Sequence, residues 1–141
     1  MPTRKANATW EGGLKGGKGN FKGDSGLIGG AFSFGTRFGE QAGTNPEELL
    51  AAAQAACFSM ALAAGLEGAG TPAEQVQTEA ACTVVAAEGG FTITTMKLKV
   101  RARVPGVQND GFQKAVEATR TGCPVAKALA GVDIQIEAVL E

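Results

Sequence analysis

The sequence has no histidine and no tyrosine among its 141 residues. Without histidine, the chain can build neither a Ser-His-Asp triad nor a Cys-His dyad, and it cannot ligate a metal through imidazole. Without tyrosine, no phenol is available as an acid. The formal net charge is only −1, so the composition gives no sign of a nucleic-acid or anionic-membrane partner. Chemistry must therefore come from cysteine, carboxylate, arginine, lysine or backbone groups.

Signals for secretion and for a second domain are also missing. Residues 1–5 lack the apolar stretch of a signal peptide, and no linker or internal repeat divides the chain. A length of 141 residues suits one domain. We therefore predict a single domain over residues 1–141 that resides in the cytoplasm.

Glycine, by contrast, is abundant: there are 21, and twelve of them come before residue 44. They separate short segments with strand character, at 6–10, 19–22 and 31–38, which predicts an N-terminal meander of antiparallel strands. The glycine-rich run 12–19 lacks the Gly-x-x-x-x-Gly-Lys-Ser/Thr pattern, and no helix signal follows it. These glycines therefore indicate turns and not a phosphate-binding loop.

The character of the sequence changes at Thr44. Thr44 or Asn45 can cap a helix, Pro46 suits its first position, and two glutamates follow at the positive end of the helix dipole. The next 18 residues, 49–66, carry no charge. That length approaches a membrane span, but the run is largely alanine, includes two polar residues and lacks basic flanks. We therefore predict a long, central, buried helix.

The second half of the chain alternates at the period of β-strands. Mostly apolar residues stand at every second position in three segments: 76–86, 96–104 and 132–140. A change of phase near Thr94 and Thr95 predicts a β-bulge. Short helices are expected over 112–120, capped by residues 109–111, and over 123–130. The basic side chains of the middle segment have no interleaved aromatics, which favours a solvated face. The order βββ-α-ββ-αα-β predicts an α+β fold with antiparallel sheets around the central helix.

Three cysteines are the candidates for chemistry: Cys57, Cys82 and Cys123. Their odd number and the lack of a Cys-x-x-Cys pair argue against a disulfide framework and a zinc site. Cys82 lies on the apolar face of a predicted strand, so we interpret it as a core residue. Cys123 precedes Pro124 at a helix start, where free N–H groups favour a thiolate, whereas burial in mid-helix would raise the pKa of Cys57. Spacing alone favours Cys123 as the reactive thiol, unless a cation from elsewhere reaches Cys57.

Two segments resemble motifs of the OsmC family, the superfamily of osmotically inducible protein C and organic hydroperoxide resistance proteins. Residues 44–62, TNPEELLAAAQAACFSMAL, are similar to the family's central helix, and residues 122–129, GCPVAKAL, to its second cysteine motif. Thr36-Arg37-Phe38 resembles the arginine segment of the OsmC branch. The resemblance extends over essentially the whole chain, although Gln54 stands where family members often have histidine.

The resemblance implies a thiol peroxidase that reduces organic hydroperoxides to alcohols, and hydrogen peroxide less well. By position, Cys57 would be the peroxidatic cysteine, Cys123 the resolving cysteine, Arg37 the activating cation and Glu47 the carboxylate partner of that cation. Cys57 would pass through a sulfenate to a disulfide with Cys123. An external dithiol, such as a dihydrolipoyl protein, would reopen the disulfide. No metal or other cofactor is expected.

Helix spacing bears on how these residues meet. Glu47 and Cys57 are ten residues apart, which is about 15 Å along a helix axis. We therefore expect Arg37 and Glu47 to serve Cys57 of a partner chain in a two-fold homodimer. This expectation agrees with the intertwined dimer that the resemblance implies.

Two alternatives stay open. Enzymes of the organic-hydroperoxide-resistance branch carry their arginine nearer the N-terminus, where this chain offers Lys15 or Lys18, so Arg37 favours the OsmC branch. The other alternative is a non-catalytic redox-sensing or ligand-binding dimer on the same fold. The presence of both Cys57 and Cys123 argues against it.

Overall fold

The structure, a computed structural model, describes residues Met1–Glu141 and has the predicted α+β class. Its elements in chain order are β1 (Ala6–Glu11), β2 (Lys18–Gly23), β3 (Gly29–Phe32), α1 (Phe34–Phe38), α2 (Pro46–Gly68), β4 (Gln75–Ala87), β5 (Gly90–Arg103), α3 (Asn109–Gly122), α4 (Pro124–Ala128) and β6 (Asp133–Leu140). The chain divides into two compact units, Met1–Leu49 and Leu50–Glu141. The predicted element order is confirmed, with one short helix, α1, added after β3.

The first unit contains the predicted glycine-rich meander. Strands β1, β2 and β3 pair antiparallel in that order. Trp10 and Phe32 pack with their ring centroids 5.5 Å apart. Gly19 lies beneath them, and a Cβ there would come within 2.6 Å of the Phe32 ring. The missing side chain at this position therefore lets two aromatic rings cover the sheet.

The predicted strand over 31–38 is wrong in its second half, because the chain turns into α1 after Phe32. Ser33 caps this helix: its hydroxyl accepts a hydrogen bond from the Thr36 N–H at 3.2 Å. In return, the Thr36 hydroxyl accepts from the Ser33 N–H at 2.9 Å. This reciprocal capping box satisfies two N–H groups at the helix start. Local capping therefore overrides the alternating apolar pattern.

The long helix α2 begins where the sequence predicted. Asn45 is its cap, since its side-chain oxygen accepts a hydrogen bond from the Glu48 N–H at 2.8 Å, and Pro46 takes the first helical position. The prediction of a helix buried all round is only partly correct. One face packs in the core through Phe58 and Leu62, while a second face is exposed, with Met60 76% accessible.

By length and composition alone, α2 could cross a membrane. Its mean hydropathy is 1.8, and 22% of the apolar window is buried inside the chain. The core helix of a globular protein can have the same length and the same apolar composition. These two properties therefore do not show that α2 crosses a membrane.

Strands β4 and β5 of the second unit form a long antiparallel hairpin. Its turn uses Gly89 and Gly90, both with positive φ, at 84° and 140°. The predicted bulge is confirmed, because Thr83 pairs with Thr95 while Val84 pairs with Ile93, which leaves Thr94 as the extra residue. The bulge lets the alternation change phase within one strand.

Strand β6 pairs parallel to β5, which corrects the prediction of antiparallel sheets at this position. The reason is topological: a parallel neighbour needs a crossover connection, and α3 and α4 supply it. Alternation along β6 predicts which side chains face inward, but it contains no information on strand direction.

The basic residues of β5 lie on the solvated face, as predicted. Lys99 pairs across the sheet with Glu79 on β4 and with Glu137 on β6. Arg101 forms an ion pair with Glu141. Acidic strand neighbours therefore offset the basic row, and the opposite face of β5 packs into the core.

Helices α3 and α4 meet at Cys123. Helix α3 starts three residues earlier than predicted, with Gln108 as its N-cap residue and no side-chain cap hydrogen bond. The predicted capping by residues 109–111 is therefore wrong, because these residues are already helical. Cys123 is both the C-cap residue of α3 and the N-cap residue of α4. This junction fixes the cysteine at the end of one helix and the start of the next.

Candidate active site

Two of the three cysteines lie side by side in the second unit. Cys57 is in the middle of α2, and Cys123 is fully buried at the junction of α3 and α4. Their Sγ atoms are 3.0 Å apart. Both are thiols in this structure, and this separation places them within reach of disulfide formation after a small movement.

The surroundings of Cys57 oppose its ionisation. Burial is the largest effect and raises the pKa of the Cys57 thiol, and the side-chain contact with Cys123 raises it further. A hydrogen bond from the backbone N–H of Val125 lowers the pKa, but it does not offset the other effects. Within the second unit, therefore, the combined effect of these contacts raises the pKa of the Cys57 thiol.

The amide of Val125 was expected to act elsewhere. The sequence predicted that the free N–H groups at the start of α4 stabilise a thiolate at Cys123, which immediately precedes that helix. The structure instead directs the Val125 N–H to the sulfur of Cys57. The contact is tertiary, since it joins α4 to α2, and no local pattern indicates it.

Gln54 is a further site residue that the sequence reasoning did not assign. It is fully buried, and its Nε2 lies 3.8 Å from Cys123 Sγ. Its Oε1 is buried without a hydrogen-bond partner. The available signal was its position three residues before Cys57, close to one helical turn, which places both side chains near the same partner.

Arg37 and Glu47 form the second predicted pair, and both belong to the first unit. Arg37 Nε lies 3.1 Å and 3.2 Å from the two carboxylate oxygens of Glu47, and Nη2 lies 2.8 Å from Oε1. The Glu47 side chain is 7% exposed and the Arg37 side chain 36%. The guanidinium also lies over the Phe38 ring, 5.1 Å from its centroid. Forked hydrogen bonds and ring stacking together hold the cation in one orientation.

An apolar cavity of about 250 Å³ adjoins Arg37 in the first unit. Four aromatic side chains dominate its lining: Trp10, Phe32, Phe34 and Phe38. Leu14 adds a further apolar wall. A fixed positive charge is therefore part of the lining of a cavity suited to an apolar group.

Cys82 lies apart from this chemistry, on β4 opposite Met96 of β5. It is half-buried and packs against the core of the second unit. No three acidic or cysteine side chains are close enough together to hold a metal ion.

Comparison with known proteins places this site in a family. The sequence profile of the family described as OsmC-like protein matches residues 39–137. The chain is also 41% identical over 127 residues to peroxiredoxin OsmC of Escherichia coli (strain K12), with 89% of each chain covered. The chain belongs to the OsmC-like family.

The chain is also similar to more distant proteins, one by sequence and one by structure. An organic hydroperoxide resistance protein of Xanthomonas axonopodis pv. citri (strain 306) is 33% identical over 97 residues, covering 67% of this chain and 66% of that protein. An organic hydroperoxide resistance protein from Elizabethkingia anophelis, solved with crystallant-derived thiocyanate bound, has a TM-score of 0.77 at 26% identity, covering 100% of this chain and 98% of that chain. The predicted family and α+β fold of this OsmC-like chain are therefore confirmed.

The names of these relatives fit the predicted class, a redox enzyme of peroxide chemistry. The matched region of the OsmC-like profile includes Glu47, Cys57 and Cys123, while Arg37 lies two residues before it. The roles assigned to these four residues stay predictions, and they are taken up next.

Proposed function

We propose that this OsmC-like protein is a cysteine-based peroxidase that reduces organic hydroperoxides. The observation that carries the proposal is the pair of thiols, Cys57 and Cys123, with their sulfurs 3.0 Å apart. A half-buried thiol and a buried thiol at this distance suit one task in particular, the two-electron reduction of a substrate with formation of a disulfide.

The proposed reaction balances without a cofactor. The Cys57 thiolate attacks the outer oxygen of the hydroperoxide, the O–O bond breaks, and the departing alkoxide takes a proton to become an alcohol. Cys57 is then a sulfenic acid. The Cys123 sulfur attacks it, the S–O bond breaks, and hydroxide leaves as water with the proton of the Cys123 thiol. An external dithiol restores both thiols and becomes a disulfide itself.

Arg37 is proposed as the cation that makes Cys57 reactive. Because the chain has no histidine and burial raises the pKa of Cys57, a permanently charged group is the best source of thiolate stabilisation. The same guanidinium would stabilise the charge that develops on the departing oxygen. Glu47 keeps it oriented through the forked hydrogen bonds.

The cation is proposed to come from a second copy of the chain. Glu47 and Cys57 are ten residues apart on the continuous helix α2, or about 15 Å along its axis. The exposed apolar face of α2, which includes Met60, offers a surface for a partner. In the proposed two-fold homodimer, Arg37 and Glu47 of each chain serve Cys57 of the other.

The cavity beside Arg37 supports organic hydroperoxides as the substrate class. Its aromatic lining would bury an apolar substituent, while the guanidinium would face the peroxide oxygens. Hydrogen peroxide has no such substituent and gains nothing from the lining, so it should be the poorer substrate. A dithiol such as a dihydrolipoyl protein, in the reducing cytoplasm, is the proposed reductant.

A thiol count combined with a turnover assay tests this function. Wild-type protein treated with one equivalent of cumene hydroperoxide should lose two free thiols and should turn over repeatedly when a dithiol is supplied. Cys57→Ser should abolish both effects, whereas the matched variant Cys82→Ser should keep both. Loss of thiols without turnover would identify a redox sensor, and retention of all thiols would contradict the proposal.

A further inference from the structure

We propose that Gln54 positions the resolving thiol of Cys123, an inference that rests on the peroxidase function proposed above. Gln54 is fully buried on α2, with its Nε2 3.8 Å from Cys123 Sγ. Its other polar atom, Oε1, is buried without a partner. The hydrogen bond of this amide is therefore directed at the sulfur that must attack the sulfenate.

Stability does not explain a glutamine at this position. A buried amide with an unpaired oxygen costs free energy that an apolar side chain of similar size would not. The other fully buried side chains of α2, Phe58, Leu62 and Leu66, are all apolar. Gln54 is thus the polar residue among the fully buried side chains of the helix, and the atom that it contacts is a reacting atom.

The amide suits both protonation states of Cys123. A side-chain amide carries two N–H donors on its nitrogen. In the structure, Nε2 donates to the sulfur of the resting Cys123 thiol, whose own S–H donates to Cys57 Sγ. The same amide can donate to the thiolate that forms during attack. The thiolate then displaces hydroxide from the Cys57 sulfenic acid, and the hydroxide leaves as water with the proton that Cys123 released.

By positioning Cys123, Gln54 would shorten the lifetime of the Cys57 sulfenate. A sulfenic acid that waits for its partner can react with a second peroxide and become a sulfinic acid, which a dithiol does not reduce. Gln54 acts through Cys123 and not through the substrate. Its removal should therefore slow disulfide formation and leave the first attack on the peroxide unchanged.

The test separates these two steps in the Gln54→Leu protein. Wild type and variant are mixed with cumene hydroperoxide, quenched at intervals with dimedone and an alkylating reagent, and analysed as peptides containing Cys57. We expect the consumption of the first peroxide equivalent to stay within about twofold of wild type, and disulfide formation to slow by roughly tenfold or more. The sulfinic acid yield under excess peroxide should rise.

Rescue and control variants distinguish positioning from packing. Gln54→His retains an N–H donor and should restore rapid disulfide formation. Ser59→Ala removes a different part-buried hydrogen bond of α2, to Thr78. This variant should form the disulfide at the wild-type rate. If Gln54→Leu does not fold by circular dichroism, Gln54→Met, which is longer and equally free of donors, replaces it.

The outcomes separate this inference from the proposed function. Equal disulfide formation in wild type and in the donor-free variant would overturn the role of Gln54 and leave the peroxidase function standing. Failure of Gln54→His to restore the rate would also count against the role. Wild-type protein that formed neither sulfenate nor disulfide would overturn the proposed function itself.

Discussion

At the scale of single residues, the central question is what ionises Cys57. Burial and the neighbouring thiol raise its pKa, and one backbone amide, that of Val125, lowers it. Arg37 is proposed to stabilise the Cys57 thiolate, because a guanidinium stays charged at every accessible pH. Its geometry fits that role, since Glu47 and the Phe38 ring fix its orientation while 36% of its side chain stays accessible.

The charge of Arg37 should be visible in the pH dependence of Cys57 alkylation. Replacing Arg37 by glutamine withdraws a stabilising charge from the thiolate, so ionisation needs a higher pH. We expect the midpoint of the alkylation rate, measured with iodoacetamide and peptide mapping, to move upward by about one pH unit or more. Arg101→Gln, which removes a cation from the outer face of β5, should leave the midpoint in place. An unchanged midpoint in Arg37→Gln would exclude this arginine as the activating group.

At the scale of secondary-structure elements, caps decide where the helices begin. Asn45 starts α2 with one side-chain hydrogen bond, and Ser33 starts α1 with a reciprocal pair. Helix α1 has only five residues, Phe34–Phe38, and carries Arg37 in its last turn. The orientation of the proposed activating cation therefore depends on a short helix that its cap stabilises.

Removal of this cap should lower stability and activity together. Ser33→Ala deletes one side of the capping box and should reduce the free energy of unfolding by about 1 kcal/mol, measured by urea denaturation. Peroxide turnover should also fall, because Arg37 loses its fixed position. Ser33→Asp keeps a capping oxygen and should recover most of the loss, and the exposed Thr3→Ala serves as control. Wild-type stability in Ser33→Ala would show that the cap does not hold α1.

The sequence predicted those elements whose signals are local. The start of α2 at Asn45 and Pro46, the bulge at Thr94 and the solvated basic face of β5 were all predicted, since each depends on neighbouring residues. Helix α1 was missed because the alternation of 31–38 resembles a strand. The parallel direction of β6 was missed because alternation at a period of two residues is the same in both directions.

The residues of the candidate site also fall into two groups, those that sequence motifs indicated and those that only the structure revealed. The resemblance indicated Cys57, Cys123, Arg37 and Glu47, and the structure brings them together as two pairs. The contact of Gln54 with Cys123 and the amide that Val125 directs at Cys57 join segments about seventy residues apart in the sequence. Such contacts arise only from tertiary packing. The sequence shows at most that Gln54 lies about one helical turn before Cys57.

At the scale of the whole molecule, the absence of histidine limits which groups can stabilise a Cys57 thiolate. The proposed peroxidase would take the charge that activates Cys57 from a group other than imidazole. Each chain holds the proposed cation, Arg37, and the two thiols in different units. The apolar and accessible face of α2 is where we propose that a second chain packs. We therefore propose that a working site takes its thiols from one chain and its arginine from the other.

Hybrid dimers test this claim most directly. Differently tagged Cys57→Ala and Arg37→Ala chains are co-expressed, and the hybrids are isolated by two successive affinity steps. Each parent homodimer should be inactive with cumene hydroperoxide and a dithiol. In a two-fold dimer with shared sites, the hybrid contains one complete site and one empty site, so it should show about half of the wild-type activity per dimer. Hybrids as inactive as their parents would contradict the account, because they would show that Arg37 serves the Cys57 of its own chain.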